Sequence, residues 1–257
     1  MVVLTYVASA IRNGTPELES FPRFYKHWLL EQNKYLEDLI SVSKLHNKSI
    51  DTNTSQTSTL INQVIEHYEH YYEVKSRWAK QYVLGMLTPS WTSTLEEGFM
   101  WIGGWRPTMA FHLLYSKSGL QLEDQLADFI RGLSTGDLGD LSPTQLNQVD
   151  KLHSKTIKEE RNISEKMAKH QETVADSSVV EFGIDEEWLA LLPKEEGLEK
   201  ILQKADDLRL RTLKAILDVV TPVQAVHFLI AAAELHLRLH DWGKKKDARQ
   251  HHGIGGN

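Results

Sequence analysis

A chain of 257 residues that is 41% hydrophobic and 25% charged can bury a sizeable core, and has the balance of a soluble globular protein. With 29 Lys and Arg against 35 Asp and Glu, its formal charge of −6 lacks the basic excess of a general nucleic-acid-binding surface. No cysteine is present, which excludes disulfides, thiolate catalysis, iron–sulfur clusters and cysteine-bound zinc, and fits an intracellular compartment.

Met1–Ser20 begins with an apolar run but has no basic n-region, so it is no signal peptide; we expect a flexible N-terminal segment. From Phe21 to Leu45 the residues Phe21, Phe24, Trp28, Tyr35, Leu36, Leu39 and Ile40 recur at helical spacing. A Ser/Thr/Asn-rich loop is expected from His46 to Ser58. A second helix then runs from about Thr59 to Gly85, carrying Leu60, Val64, Ile65, Tyr68, Tyr71, Tyr72 and Val74.

Ser93 with Glu96 matches a capping box. Gly103-Gly104 predicts a tight turn, and Pro107 opens a helix toward Leu114 and Tyr115. Ser142-Pro143 and Thr221-Pro222 each place a capping residue before a proline, whose fixed φ suits the first helical position. The helix starting at Ser142 continues to about Val174, with KEER and EKMAKH on a solvated face. Ala175–Gly197 is expected to be a connector with a short helix around Glu186–Leu191. Two more helices follow, Leu198–Val220 and Pro222–Asp241. Gly243 is expected to stop the last of them and leave 244–257 as a disordered tail.

The longest apolar run, Val219–Leu235, is interrupted by Pro222, Gln224 and His227 and is too short to span a bilayer. Neither hairpin signals nor a solenoid period is visible. The expectation is one all-α, bundle-like domain over 21–243, with long antiparallel helices.

His236 and His240 stand four residues apart, so on a helix both rings leave one face. That spacing suits two ligands to one metal ion, and equally suits structural histidines among Leu235, Leu239 and Trp242. Leu237 occupies the place of the glutamate in HExxH, so metalloprotease chemistry is unsupported. His27, His67, His70, His112, His153, His170 and His227 are scattered over several helices, and His251 and His252 lie in the tail. Glu96, Glu97, Glu159 and Glu160 are expected to be capping or solvated groups rather than an acid/base pair. No phosphate-binding or nucleophile motif is present, and no catalytic residue is expected. Trp91, Trp101 and Trp105 crowd around the Gly-Gly turn, as a core hub or as a pocket wall.

FYKHWLLEQNKYLEDL, LEEGFMWIGGWRPTMAFHLLY, LSPTQLNQVDKLHSKTIKEER and KADDLRLRTLKAILDVVTPVQAVHFLIAAAELHLRLHDWG occur here in that order. Together they resemble the plant delay-of-germination domain over about Phe21 to Gln250. This domain is found in seed-dormancy regulators and in the C-terminal part of TGA-type bZIP transcription factors. About 20 residues precede Phe21, with Arg12 as their one basic residue, which leaves no room for a bZIP segment. Direct DNA binding is therefore not expected, and the resemblance is to the stand-alone type.

The resemblance implies a non-enzymatic regulator of seed dormancy, abscisic-acid signalling or related development, in the nucleus and cytoplasm. It implies binding to clade A type 2C protein phosphatases, and haem binding at the two positions of the HLxxHxWG pattern, His236 and His240. Opposite axial ligation by both is at odds with their shared helix face: one could ligate while the other supports, the helix end could unwind, or haem could bridge two chains. Two alternatives stand beside this reading: a transcription-associated module acting with bZIP partners, and a sensor enclosing haem or a fatty acyl chain. A homodimer is compatible with each.

Overall fold

The computed structural model of the protein describes residues 20–46, 54–117, 141–175 and 187–253. Among these residues there are seven α-helices and no strand, as the all-α expectation requires. They are α1 (Ser20–His46), α2 (Thr54–Leu87), α3 (Thr94–Glu97), α4 (Thr108–Lys117), α5 (Pro143–Glu172), α6 (Glu187–Val219) and α7 (Pro222–Gly253). A single 3-10 turn, Thr173–Ala175, follows α5. None of the described helices is long and apolar enough to cross a membrane.

The predicted helix starts are present with their capping chemistry. Ser142 and Gln145 form a reciprocal box before Pro143 at the start of α5. Thr221 and Gln224 do the same at α7, through Thr221 N–H to Gln224 Oε1 (2.9 Å) and Gln224 N–H to Thr221 Oγ1 (3.3 Å). The Gln145 amide also donates to Gln224 Oε1 (2.8 Å) and to the Val219 carbonyl (3.1 Å), tying two helix starts to the end of α6.

α7 lies along α1 and α2 and crosses α3 and α4, while α5 packs along α6, and α6 along α2. The largest apolar cluster joins Leu39, Val64, Leu114, Ile216 and Leu229 from five helices. A second, aromatic cluster centres on Phe21, Tyr25 and Trp28 of α1 against Val83 and Met86 of α2. A third sets Trp101 against Ile163 of α5 and Ile201 of α6. Each fully buried large side chain of this kind contributes roughly 1.5–3 kcal/mol.

Three boundaries differ from the sequence expectation, each for a packing reason. Thr54–Ser58 belong to α2 rather than to a loop, and Thr57 is buried. α2 is interrupted once, at Tyr82, whose backbone leaves the helical region (φ −153°, ψ 75°).

The expected connector Ala175–Gly197 is, from Glu187 on, the start of α6, which continues through Pro193 and Gly197. A Cβ at Gly197 would overlap the His170 imidazole, so the glycine admits a close approach of α5. His170 Nε2 lies 2.6 Å from the Lys194 carbonyl, and Lys194 Nζ donates to Thr173 O at 2.8 Å. Tertiary contact offsets the intrinsic helix penalty of Gly and Pro here.

Gly243 does not end α7, which continues to Gly253, so residues 244–253 of the expected disordered tail are helical. At Gly243 a Cβ would overlap the Ser93 side chain. Beyond it, Lys244 Nζ donates to Thr92 O (2.8 Å), and the Asp247 carboxylate accepts from Thr94 N–H (3.0 Å) and from the Thr94 hydroxyl. Of the flexible segment expected over 1–20, Ser20 instead begins α1 and residues 1–19 lie outside the described residues, as do 254–257.

Candidate functional site

His236 and His240 leave one face of an unbroken α7 and turn toward α1 and α3. His236 Nε2 is hydrogen-bonded to the Tyr25 hydroxyl at 3.1 Å. Its ring lies 5.5 Å from Trp28 and 6.2 Å from Trp105, centroid to centroid. Burial, aided by His240 and opposed by Glu96, lowers the His236 pKa to about 4, so the ring is neutral at pH 7. Burial likewise pushes the Tyr25 phenol well above its ordinary value.

His240 Nδ1 stands 3.0 Å from Glu96 Oε2 and 3.2 Å from Oε1. The Glu96 carboxylate is 1% exposed and also accepts from Ser93 N–H and Oγ–H, both at 2.7 Å. Burial alone would raise its pKa. The hydrogen bonds from His240 and Ser93 outweigh that and hold it below the ordinary carboxylate value. The capping box expected at Ser93 and Glu96 is therefore present, and it doubles as the anchor of α7.

A second polar network clamps the loop Trp101–Trp105. Lys75 Nζ of α2 donates to Gly103 O (2.7 Å) and to Asp206 Oδ1 (2.9 Å) of α6. Arg209 donates from Nε to Trp105 O (2.6 Å), from Nη2 to Ile102 O (2.9 Å) and Trp101 O, and from Nη1 to Asp206. Burial lowers the Lys75 pKa to about 8 against the pull of Asp206. These donors hold a loop in which Ile102 (φ 46°) and Gly103 (φ 67°) are both left-handed. For a β-branched residue that costs on the order of 1–3 kcal/mol.

Two adjoining cavities, of about 70 and 150 Å³, lie between the networks. Tyr68, Tyr72, Trp105, Arg209 and His236 line both. The three tryptophans singled out in the sequence thus divide their roles. Trp101 is buried in the third cluster, Trp91 packs on Phe21 at 4.6 Å, and Trp105 forms cavity wall. Tyr25, Lys75, Asp206 and Arg209 were missed in the sequence. Their one signal was four polar groups inside otherwise apolar helical faces.

Haem would ask this site for space and for ligands. Neither cavity reaches the roughly 300–1,000 Å³ of a drug-sized ligand pocket. The unbroken helix keeps both histidines on one side, so they do not fit opposite faces of one iron. His236 is committed to Tyr25 inside the core. His240 does fit a single axial ligand: its Nδ1 is oriented by a carboxylate, as in most metal-ligating histidines, and its side chain is 19% exposed. Of the hydrophobic neighbours, Leu239 is core, and Trp242 is 43% exposed.

The other candidate groups remain apart. His67 stacks on Trp28 (4.7 Å, 3° between planes), and His112 and His153 face each other at 5.8 Å far along the bundle. His27 bonds Arg23 O on its own helix, His70 meets Phe24, and His227 is buried in α7. The side chains of His251 and His252 lie outside the described residues. Among the described residues no group of three or more His, Asp or Glu is placed to hold a metal ion. Glu159 pairs with Arg211 at the surface, and Glu97 is exposed. Glu160 departs from the solvated face expected for KEER: it is 6% exposed and accepts from Thr108 N–H (2.7 Å), capping α4 from a neighbouring helix.

The profile described as DOG1, seed dormancy control, matches residues 37–116. Protein DOG1-like 3 of Arabidopsis thaliana is 32% identical, over 88% of this chain and 84% of that protein. Protein DOG1-like 2 of the same plant is 34% identical, over 86% of this chain and 89% of its own length. Transcription factor TGA7 of Arabidopsis thaliana is 25% identical over 86% of this chain, which spans 55% of that factor. The identity and near-complete mutual coverage with the DOG1-like proteins show that this chain belongs to the DOG1, or delay-of-germination, family.

Proposed function

We propose that the protein is a non-enzymatic regulator of seed dormancy and abscisic-acid signalling, or of a related developmental process, acting by binding clade A type 2C protein phosphatases. Family membership supports the pathway. One structural observation supports the non-enzymatic part: Lys75, Glu96, Asp206 and Arg209, although three of them border the cavities, each make their described hydrogen bonds to a loop, a short helix or α7 and hold it in place. Calorimetric titration of the full chain with a purified clade A phosphatase tests this reading. A saturable one-to-one isotherm is the expected result, and its absence across several clade members would overturn the choice of partner.

A second reading, haem as an input to that regulator, is favoured by the Glu96-oriented His240. A bZIP factor as partner is supported by the extent of the match with TGA7.

A further inference from the structure

The larger cavity, about 150 Å³, opens between α4, α6 and α7. Its floor is apolar, built from Leu113, Leu213, Phe228, Ala232 and Leu235, and Trp105 closes one side. A cavity of that size accommodates one benzene ring. Its other end is different in kind. Arg209 and Tyr72 stand there, and Arg106 lies at the rim.

Three features of that end point to an anion. A guanidinium carries five N–H donors. The loop carbonyls and Asp206 take four from Arg209, leaving one Nη1 hydrogen without a described partner. The Tyr72 hydroxyl makes no hydrogen bond among the described residues, and burial keeps it protonated as a donor. The lining itself is cationic: Arg106 and Arg209 both border the cavity, and no described carboxylate does. Asp206 pairs with Arg209 from outside the lining, and the half-exposed Arg106 stands 4.0 Å from Glu160.

We propose that this cavity is a binding site for a small monocyclic aromatic carboxylate, its ring on the Leu213–Phe228–Ala232 floor and its carboxylate on Tyr72 and Arg209. Such a ligand would seat against Trp105 and the clamped loop, giving the regulator a small-molecule input distinct from haem at His240.

The test uses the full chain and sodium benzoate, followed by calorimetry and by tryptophan fluorescence, with benzyl alcohol as the neutral analogue. Ala232→Phe fills the cavity from α7, and Ala110→Leu fills it from α4. Arg106→Gln removes rim charge. The expected result is saturable one-to-one benzoate binding, at least tenfold weaker in both filled variants and at least threefold weaker in Arg106→Gln and for benzyl alcohol. Unliganded melting curves of the two filled variants show that each is folded, and the conclusion rests on whichever melts cooperatively. Absence of saturable benzoate binding to the wild type overturns the site. Wild-type affinity in a folded, filled variant places the ligand elsewhere. Benzyl alcohol binding as tightly as benzoate overturns the anionic end.

Discussion

The imidazole of His240 reaches across 144 residues of sequence to the buried carboxylate of Glu96, closing to 3.0 Å. Glu96 is the third residue of α3 and closes its capping box, so one carboxylate both starts α3 and fastens α7 over it. Removing the imidazole leaves that carboxylate buried with Ser93 alone. His240→Ala is expected to lower the unfolding free energy by about 2–3 kcal/mol in urea titration. A loss below about 0.5 kcal/mol would show that the contact carries no stability.

Haemin separates the two histidines. A Soret band characteristic of histidine ligation is expected to survive His236→Ala and to be lost with His240→Ala, because only His240 has an oriented, partly accessible ring. Equal loss in both variants would mean that the end of α7 opens to use both. No band in the wild type would remove haem from the reading of this protein.

Gly243 offers a sharp contrast between two surroundings. Inside a helix with open space beside it, alanine would stabilise by about 1 kcal/mol. At the crossing of α7 over Ser93 it would not, since a Cβ there overlaps the serine side chain. Gly243→Ala is therefore expected to cost about 1–3 kcal/mol by overpacking, seen as a lowered Tm. An unchanged or raised Tm would show that the crossing has room for a methyl group.

The loop clamp rests on Asp206, the one carboxylate shared by Lys75 and Arg209. Asp206→Ala leaves two buried cations unpaired and is expected to cost about 3–5 kcal/mol. Lys75→Met keeps the Asp206–Arg209 pair and removes one donor to Gly103, so it is expected to cost less. Chemical denaturation of the two variants checks the order, and the reverse order would mean that Lys75 is the principal clamp.

Acid should weaken the fold in a defined window. His67 and His236 both have pKa values lowered by burial from 6.5 to about 4, so the unfolded chain binds their protons first. Their contribution is fully present above pH 6.5 and is lost as the pH falls toward 4. For His67, whose side chain is 3% exposed, this amounts to roughly 3 kcal/mol. Glu96, held low, adds its own loss at still lower pH. The urea midpoint should fall from pH 7 to pH 5 for the wild type, and fall less for His67→Phe, which keeps the stack on Trp28. Equal slopes for both proteins would assign the acid sensitivity elsewhere.

Local chemistry made much of this protein legible from its residues. Helical spacing placed the cores of α1 and α2, Pro107 marked the approach to α4, and Ser93, Ser142 and Thr221 marked three helix starts, because a cap is built from side chains within four positions of the backbone it satisfies. The ordered motifs identified the family, and the i,i+4 spacing put His236 and His240 on one face. What local reading misassigned was decided by contacts over long sequence distances. Gly197 and Gly243 look like breaks in isolation, yet each admits a neighbouring helix, and packing outweighs the roughly 1 kcal/mol that glycine costs a helix. Glu160 looks solvated until α4 sets its first turn on it. The pairing of Tyr25 with His236, of Glu96 with His240, and of Lys75 with Asp206 exists only once two helices far apart in the sequence pack together. Burial favours a partner for each of these polar groups, and no spacing within one helix encodes which partner it will be.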